Sequence, residues 1–168
     1  MKVLVSAASR HGATQEIASA IADELRDAGL SVDLHDPDAV DSVAPYEAVV
    51  LGSAVYLGRW LEPARRFSER HQADLRSLSV WLFSSGPIGT PLAPTEEAAD
   101  GARLLAELAA REHRTFPGRV NPSELNWVEQ TITGMVKAPE GDFRDWDAIR
   151  SWAADIARAL APGARPIE

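Results

Sequence analysis

Near the N-terminus, two hydroxyl residues and a glycine have the spacing of an anion-binding loop. Ser9, Gly12 and Thr14 lie between the apolar run Lys2–Val5, which predicts a strand, and a helical pattern that begins at Thr14. A loop in this position directs unpaired backbone N–H groups toward one point at the positive end of the helix dipole. The hydroxyls add donors, and glycine lets the backbone approach closely. The spacing predicts a phosphate site. An equally weighted alternative is that Ser9 is an ordinary helix N-cap and Gly12 a turn residue.

Two later loops carry residues that suit a planar ligand. Residues 52–60 show neither strand nor helix periodicity, and Tyr56 and Trp60 within them are candidates to stack on a ring, with packing of Trp60 in the core as the alternative. Residues 84–91 contain glycines and prolines that shape the backbone, so their N–H and C=O groups are candidates to face a ring edge. A plain turn is the alternative for this third loop.

Apolar runs alternate with helical patterns along the chain. The predicted strands cover residues 2–5, 30–34, 48–51, 80–83 and, with a weaker apolar signal, 113–120. The predicted helices cover residues 14–28, 61–75, 95–111 and 146–160. This alternation indicates an α/β fold, a doubly wound five-stranded parallel sheet of order 2-1-3-4-5 with helices on both faces. The crevice at the carboxyl ends of strands one and three then receives all three loops.

Composition limits the class of protein. A chain of 168 residues predicts one domain with a sizeable core. A net charge of −8 argues against a nucleic-acid partner, and the absence of cysteine excludes disulfides and iron–sulfur ligation. No apolar run reaches membrane-spanning length and no signal-peptide pattern opens the sequence, so a cytoplasmic location is expected.

Several other chemistries lack their residues. A receiver domain needs carboxylates at the ends of strands one and three, where this chain has Ser6–Ser9 and Gly52–Ser53. There is no Gly-Lys-Ser/Thr loop, no Gly-x-Gly-x-x-Gly after a strand, and no nucleophile elbow around Ser85. The four histidines have no ligand spacing, so no metal site is expected.

Taken in order on this topology, the three loops resemble those of flavodoxin-type proteins. Residues 9–14 are similar to the FMN-phosphate loop of that family in its hydroxyl-x-x-Gly-x-Thr form. More narrowly, the chain resembles the short flavodoxin-domain branch that includes bacterial menaquinone-dependent protoporphyrinogen oxidases. There the second loop carries a glycine flanked by aromatics, as Tyr56, Gly58 and Trp60 do here. The branch also has extra residues before the last helix, a place that residues 121–142 occupy with a helical pattern over 122–137.

The resemblance implies a single flavodoxin-like domain over residues 1–168 that binds FMN and acts as an oxidoreductase or electron-transfer protein. A quinone is the candidate acceptor, no nucleic acid or transmembrane segment is expected, and a homo-oligomer is the candidate assembly. The implied cofactor-binding residues are Ser9, Arg10, His11, Gly12, Ala13, Thr14, Ala54, Val55, Tyr56, Leu57, Gly58, Ser84, Ser85, Gly86 and Pro87.

Two alternatives stay open beside this interpretation. One is a carrier or sequestering protein that holds a flavin or the deazaflavin F420 without turnover. The other is a protein whose site has lost its cofactor and that works through its surface. For the oxidoreductase, the net charge of −8 predicts a midpoint potential below that of free FMN, because negative charge disfavours the anionic reduced flavin.

Overall fold

Eight strands and five helices make up the part of the chain that the computed structural model describes, residues 1–86, 99–120 and 141–162. The strands are β1 (Lys2–Ala8), β2 (Ser31–His35), β3 (Ala48–Tyr56), β4 (Arg59–Trp60), β5 (Ser79–Ser85), β6 (Glu112–Phe116), β7 (Arg119–Val120) and β8 (Gly141–Asp142). The helices are α1 (Ala13–Asp27), α2 (Glu62–Arg70), α3 (Gln72–Leu75), α4 (Ala99–Glu107) and α5 (Trp146–Leu160), with a 3₁₀ turn at Pro37–Ala39.

Five of the strands form a parallel sheet in the order β2-β1-β3-β5-β6. The short strand β4 only pairs with β3 as an antiparallel hairpin. Without the hairpin strand β4, β5 and β6 become the fourth and fifth strands, and the order is the predicted 2-1-3-4-5. The predicted strand order is confirmed. Ala8 pairs with Ser53, and Ser53 with Ser84, so the carboxyl ends of β1, β3 and β5 stop at the same edge of the sheet.

The two faces of the sheet bury different helices, as the alternation of β1 shows. Val3, Val5 and Ala7 pack with α1 and α5 on one face, while Leu4 and Ala8 pack with α2, α3 and α4 on the other. Burial of each large apolar side chain stabilises the fold by about 1.5–3 kcal/mol, so both helix layers are held by the sheet. The predicted placement of helices on both faces is confirmed.

One predicted helix is divided. The pattern over residues 61–75 predicts a continuous helix, but α2 ends at Arg70 and α3 begins at Gln72. Between them His71 has φ −107° and ψ 13°, outside the helical region, and its ring packs on Phe67 with centroids 4.9 Å apart. The side chains on both sides keep a buried face, which is why the periodicity continues through the break.

Two predicted boundaries also move. The aperiodic loop at residues 52–60 is in fact the end of β3 and a hairpin, with Val55 paired to Trp60. The predicted strand over 113–120 stops at Phe116, because Pro117 has no N–H to donate to a sheet.

After Pro117, β7 pairs antiparallel with β8 in a separate two-stranded sheet. β8 supplies the last two residues of the predicted extra segment 121–142. The helical pattern over 122–137 lies outside the described residues, as do positions 95–98 of the predicted helix 95–111. Within the described ranges, no helix has the length and apolar character needed to cross a membrane.

Candidate functional site

The first loop forms an open backbone cradle at the N-terminus of α1. Gly12 is the N-cap, with φ 85° in the left-handed region, and the Glu16 N–H donates to its carbonyl at 3.0 Å. The Gly12 N–H donates to Ser9 Oγ at 3.0 Å, which leaves the Ser9 hydroxyl proton to point elsewhere. Ser9 is therefore not the N-cap that the alternative interpretation required. A Cβ added to Gly12 would meet nothing within 4 Å, so the cradle opens away from the protein.

This cradle fits a phosphate group. The N–H groups of the first turn of α1 have no partner within the helix, and the positive end of the helix dipole lies beside them. Ser9 offers a hydroxyl, while Thr14 is buried at 2% exposure on the first turn. The arrangement supplies donors without a resident anionic side chain between Ser9 and Thr14.

The second loop meets the first through a cation–π contact. The guanidinium of Arg10 lies over the ring of Tyr56, 4.9 Å from its centroid. Tyr56 is half-buried at the end of β3, whereas Leu57 at the hairpin turn is 69% exposed. Ala54 and Val55, predicted as loop residues, lie within β3 and are half-buried. The contact shows that the first and second loops border the same region of the surface.

Trp60 lies outside this region. It is only 2% exposed, and its Nε1–H donates to Ser84 Oγ at 2.8 Å. Ser84 Oγ also lies 2.8 Å from Nε2 of His113 on β6. The stacking alternative for Trp60 is therefore wrong, because the indole packs in the core. Because the Ser84 hydroxyl is hydrogen-bonded within this internal network, only the backbone groups of Ser84 remain candidates for binding the cofactor.

A buried carboxylate fastens the hairpin to α4. Asp100 is 3% exposed and accepts the Trp60 N–H at 2.9 Å and an Arg103 N–H at 3.1 Å, with Arg59 Nε 3.8 Å away. Burial raises the pKa of Asp100, but the hydrogen bonds from Trp60 and Arg103 outweigh it and hold the pKa below its usual value. Sequence reasoning missed Asp100 and His113, although a buried Trp N–H signals that some acceptor must exist.

The described part of the third loop comprises Ser84, Ser85 and Gly86. The Gly86 N–H donates to the carbonyl of Phe116 at 2.9 Å, which ties the end of β5 to β6. A Cβ on Gly118 would lie 3.4 Å from Ser85 Oγ and 3.6 Å from Gly86 N, so glycine permits the segment after β6 to run close beside this loop. Pro87 lies outside the described residues.

Two arginines that sequence reasoning also missed approach the first loop, Arg119 from β7 and Arg144 from the second residue after β8. Arg119 donates to the His11 carbonyl at 3.4 Å, and Arg144 donates to the Ala13 carbonyl at 3.3 Å. Glu16 pairs with both guanidiniums. No motif marks these arginines, because their separations from the loop are 108 and 131 residues.

Asp142 holds Arg144 in place. It accepts from Arg144 Nε at 2.8 Å and from Nη2 at 2.6 Å. Hydrogen bonds from the Arg144 side chain lower the pKa of Asp142 to about 2. The same pair raises the pKa of Arg144, which stays charged although it is almost fully buried.

Comparisons with known proteins agree with this fold. The family described as "Flavodoxin domain" matches residues 4–147. A curated relative from Escherichia coli K12, protoporphyrinogen IX dehydrogenase [quinone], is 23% identical over 94% of this chain and 95% of its own length.

Solved structures share the fold. Oxidised flavodoxin 1 from Bacillus cereus matches 96% of this chain and 100% of its own with a TM-score of 0.67 and 16% identity. The rubredoxin oxygen:oxidoreductase of Desulfovibrio gigas matches 95% of this chain with a TM-score of 0.64 and 16% identity; the match spans 36% of that longer chain.

Proposed function

The chain belongs to the flavodoxin domain family, and from this premise we propose that it is an FMN-dependent oxidoreductase that passes electrons to a quinone. The observation that carries the proposal is the cradle of Ser9, Gly12 and the first turn of α1 bordering the same region of the surface as Tyr56. A phosphate cradle next to a half-buried aromatic ring suits a phosphorylated, planar cofactor. When bound, FMN supplies the two-electron chemistry, and the protein sets its orientation and electrostatics.

We assign the cofactor contacts by loop. The first loop would hold the phosphate, chiefly through backbone N–H groups and hydroxyls; its residues are Ser9, Arg10, His11, Gly12, Ala13 and Thr14. The hairpin end, Ala54, Val55, Tyr56, Leu57 and Gly58, lies along the ring. The third loop, Ser84, Ser85, Gly86 and Pro87, contributes backbone groups to the ring edge. Tyr56 is the stacking residue in this assignment, since Trp60 is buried in the core.

The surface around the tip of the β3–β4 hairpin suits a flat, largely apolar redox partner. Leu57 exposes an apolar side chain beside Tyr56, and the cationic side chains of Arg10 and Arg59 are exposed nearby. Apolar surface next to cations suits a quinone ring or a porphyrinogen with its carboxylates. The name of the E. coli relative, with porphyrinogen and quinone in it, supports the same pair.

The first experiment is a binding titration of the purified protein with FMN, riboflavin and F420, followed by absorption and fluorescence. We expect shifted flavin bands, quenched fluorescence, and tighter binding of FMN than of riboflavin, because the cradle recognises the phosphate. Binding of F420 alone would instead favour the carrier, and binding of none of the three would favour a protein that works through its surface.

A second measurement tests the acceptor. The FMN-loaded protein is reduced by light without oxygen, with EDTA as the electron donor, and is then mixed with menadione. Flavin absorption follows reoxidation, in which the quinone gains two electrons and two protons and becomes the quinol. We expect faster reoxidation than for free reduced FMN at equal concentration. A rate equal to that of free FMN would contradict a quinone site. With protoporphyrinogen and menadione together, appearance of porphyrin fluorescence above the uncatalysed rate identifies the donor.

A further inference from the structure

The two arginines at the first loop are held by an unusually complete set of contacts. The Arg144 side chain is 4% exposed and that of Arg119 is 25% exposed. Each contacts a loop carbonyl on one side and Glu16 on the other, and Asp142 also binds Arg144. Burial of the Arg144 side chain distinguishes its contacts from exposed surface ion pairs, which contribute little.

The contacted carbonyls belong to peptide groups whose other ends form the cradle. In a trans peptide the C=O and N–H point in opposite directions. The His11 carbonyl shares its peptide with the Gly12 N–H, which donates to Ser9 Oγ. The Ala13 carbonyl shares its peptide with the Thr14 N–H, in the first turn of α1. Each arginine therefore donates a hydrogen bond to the C=O of a peptide group whose N–H faces the cradle.

We propose that Arg119 and Arg144 are positioning residues of the phosphate loop, acting on FMN through the His11–Gly12 and Ala13–Thr14 peptides. By donating to the carbonyls, the guanidiniums fix the two peptide planes and polarise the N–H groups opposite. On the Arg119 side the chain of donors runs from the guanidinium through the peptide to the Ser9 hydroxyl and the phosphate. This inference rests on the proposed function, because it concerns the same site.

The arginines act through geometry more than through net charge. Glu16 and Asp142 offset the two positive charges. A simple electrostatic effect and a positioning effect therefore predict opposite results at Glu16. Removing its negative charge strengthens phosphate binding if only charge matters, but weakens it if Glu16 is needed to hold the arginines.

The test compares dissociation constants for FMN and riboflavin in three variants. Arg119→Gln is expected to weaken FMN binding roughly ten-fold, since a hydrogen bond from a charged group is lost, and to leave riboflavin binding unchanged. Glu16→Gln, at a half-exposed site that the fold tolerates, is expected to weaken FMN binding about three-fold, a loss of roughly 0.6 kcal/mol. Arg26→Gln is the matched control, because Arg26 lies in the last turn of the same helix, and both affinities are expected to stay unchanged.

The outcomes separate this inference from the proposed function. If the wild-type protein prefers FMN to riboflavin but Arg119→Gln leaves that preference intact, or if Glu16→Gln tightens FMN binding, the inference is overturned and the proposed function stands. If the wild-type protein shows no preference for FMN, the proposed phosphate site is wrong, and this inference is overturned with it.

Discussion

Gly12 and Gly29 have nearly the same backbone conformation at opposite ends of α1. Their φ angles are 85° and 88°, and a Cβ on either would meet nothing within 4 Å. Both φ angles lie in the left-handed region, which Asn and Asp tolerate better than other residues with a side chain. Only Gly12 belongs to the proposed phosphate cradle, so the pair separates a binding effect from a backbone effect.

We predict that Gly12→Asp weakens FMN binding at least ten-fold, because its carboxylate repels the phosphate. Its stability changes little, since Asp tolerates left-handed backbone and a negative charge at a helix N-terminus is favourable. Gly29→Asp, where the charge meets the negative end of the dipole, is expected to lose about 0.5–1 kcal/mol of unfolding free energy and keep its FMN affinity. Fluorescence titration and urea unfolding measure the two effects. Wild-type FMN affinity in Gly12→Asp would rule out the cradle.

The pair of Asp142 and Arg144 gives a pH dependence of known sign. The Asp142 pKa is about 2 in the folded protein and near 3.8 when unperturbed, so its charge stabilises the fold above about pH 4, and this contribution is lost as pH falls toward 2. Because Asp142 is 44% exposed, solvent screening reduces the contribution to about 1 kcal/mol.

Asp142→Asn is therefore expected to unfold with about 1 kcal/mol less free energy than the wild type at pH 6, with the difference vanishing near pH 2. Urea unfolding across this range measures it. Asp23→Asn, which breaks an exposed pair with Arg26, is the control and should cost under about 0.5 kcal/mol at either pH. A difference that persists unchanged to pH 2 would contradict a role for the Asp142 charge.

At the scale of elements, the β3–β4 hairpin keeps a strained residue at its tip. Leu57 has φ 50° and Gly58 φ 75°, the conformation of a two-residue turn that prefers Asn or Asp before Gly. A leucine there costs about 1 kcal/mol and exposes an apolar side chain, a combination that indicates a contact with a partner molecule.

We predict that Leu57→Asn raises the unfolding free energy by about 1 kcal/mol and slows quinone reduction several-fold, because the apolar contact is lost. The matched control is Ala109→Gly after α4, where Ala109 also has φ 50°. It relieves the same kind of strain by roughly 0.5–1 kcal/mol and should not change the rate. Equal rates for Leu57→Asn and wild type would show that the hairpin tip is not the contact surface.

For the whole molecule, the net charge of −8 acts on the proposed cofactor through long-range electrostatics. We predict that bound FMN has a lower midpoint potential than free FMN, and that added salt raises the potential toward the free value by screening the protein's charge. Spectroelectrochemical titration at low and high salt, with free FMN measured alongside, gives both quantities. A potential at or above that of free FMN would contradict the prediction. The single domain, the cytoplasmic location, the homo-oligomer and the absence of a nucleic-acid partner stay predictions.

The residue pattern alone predicts the strand order, the helices on both faces and the strand–loop–helix form of the first loop. These follow from local patterns: hydrophobic periodicity depends on which face of each element is buried, and a strand–loop–helix junction places its own N–H groups. For that reason Ser9, Gly12 and Thr14 were visible at once, whereas the break at His71 was not, because the buried face continues through it.

The side chains that lie at the candidate site could be identified only from the folded chain. Trp60 and Tyr56 are both aromatic and four residues apart, yet one packs inside against Ser84 and the other contacts Arg10. Arg119 and Arg144 reach the first loop from more than a hundred residues away. Such contacts depend on strand register and on how separate elements pack, and no local pattern in the sequence records either.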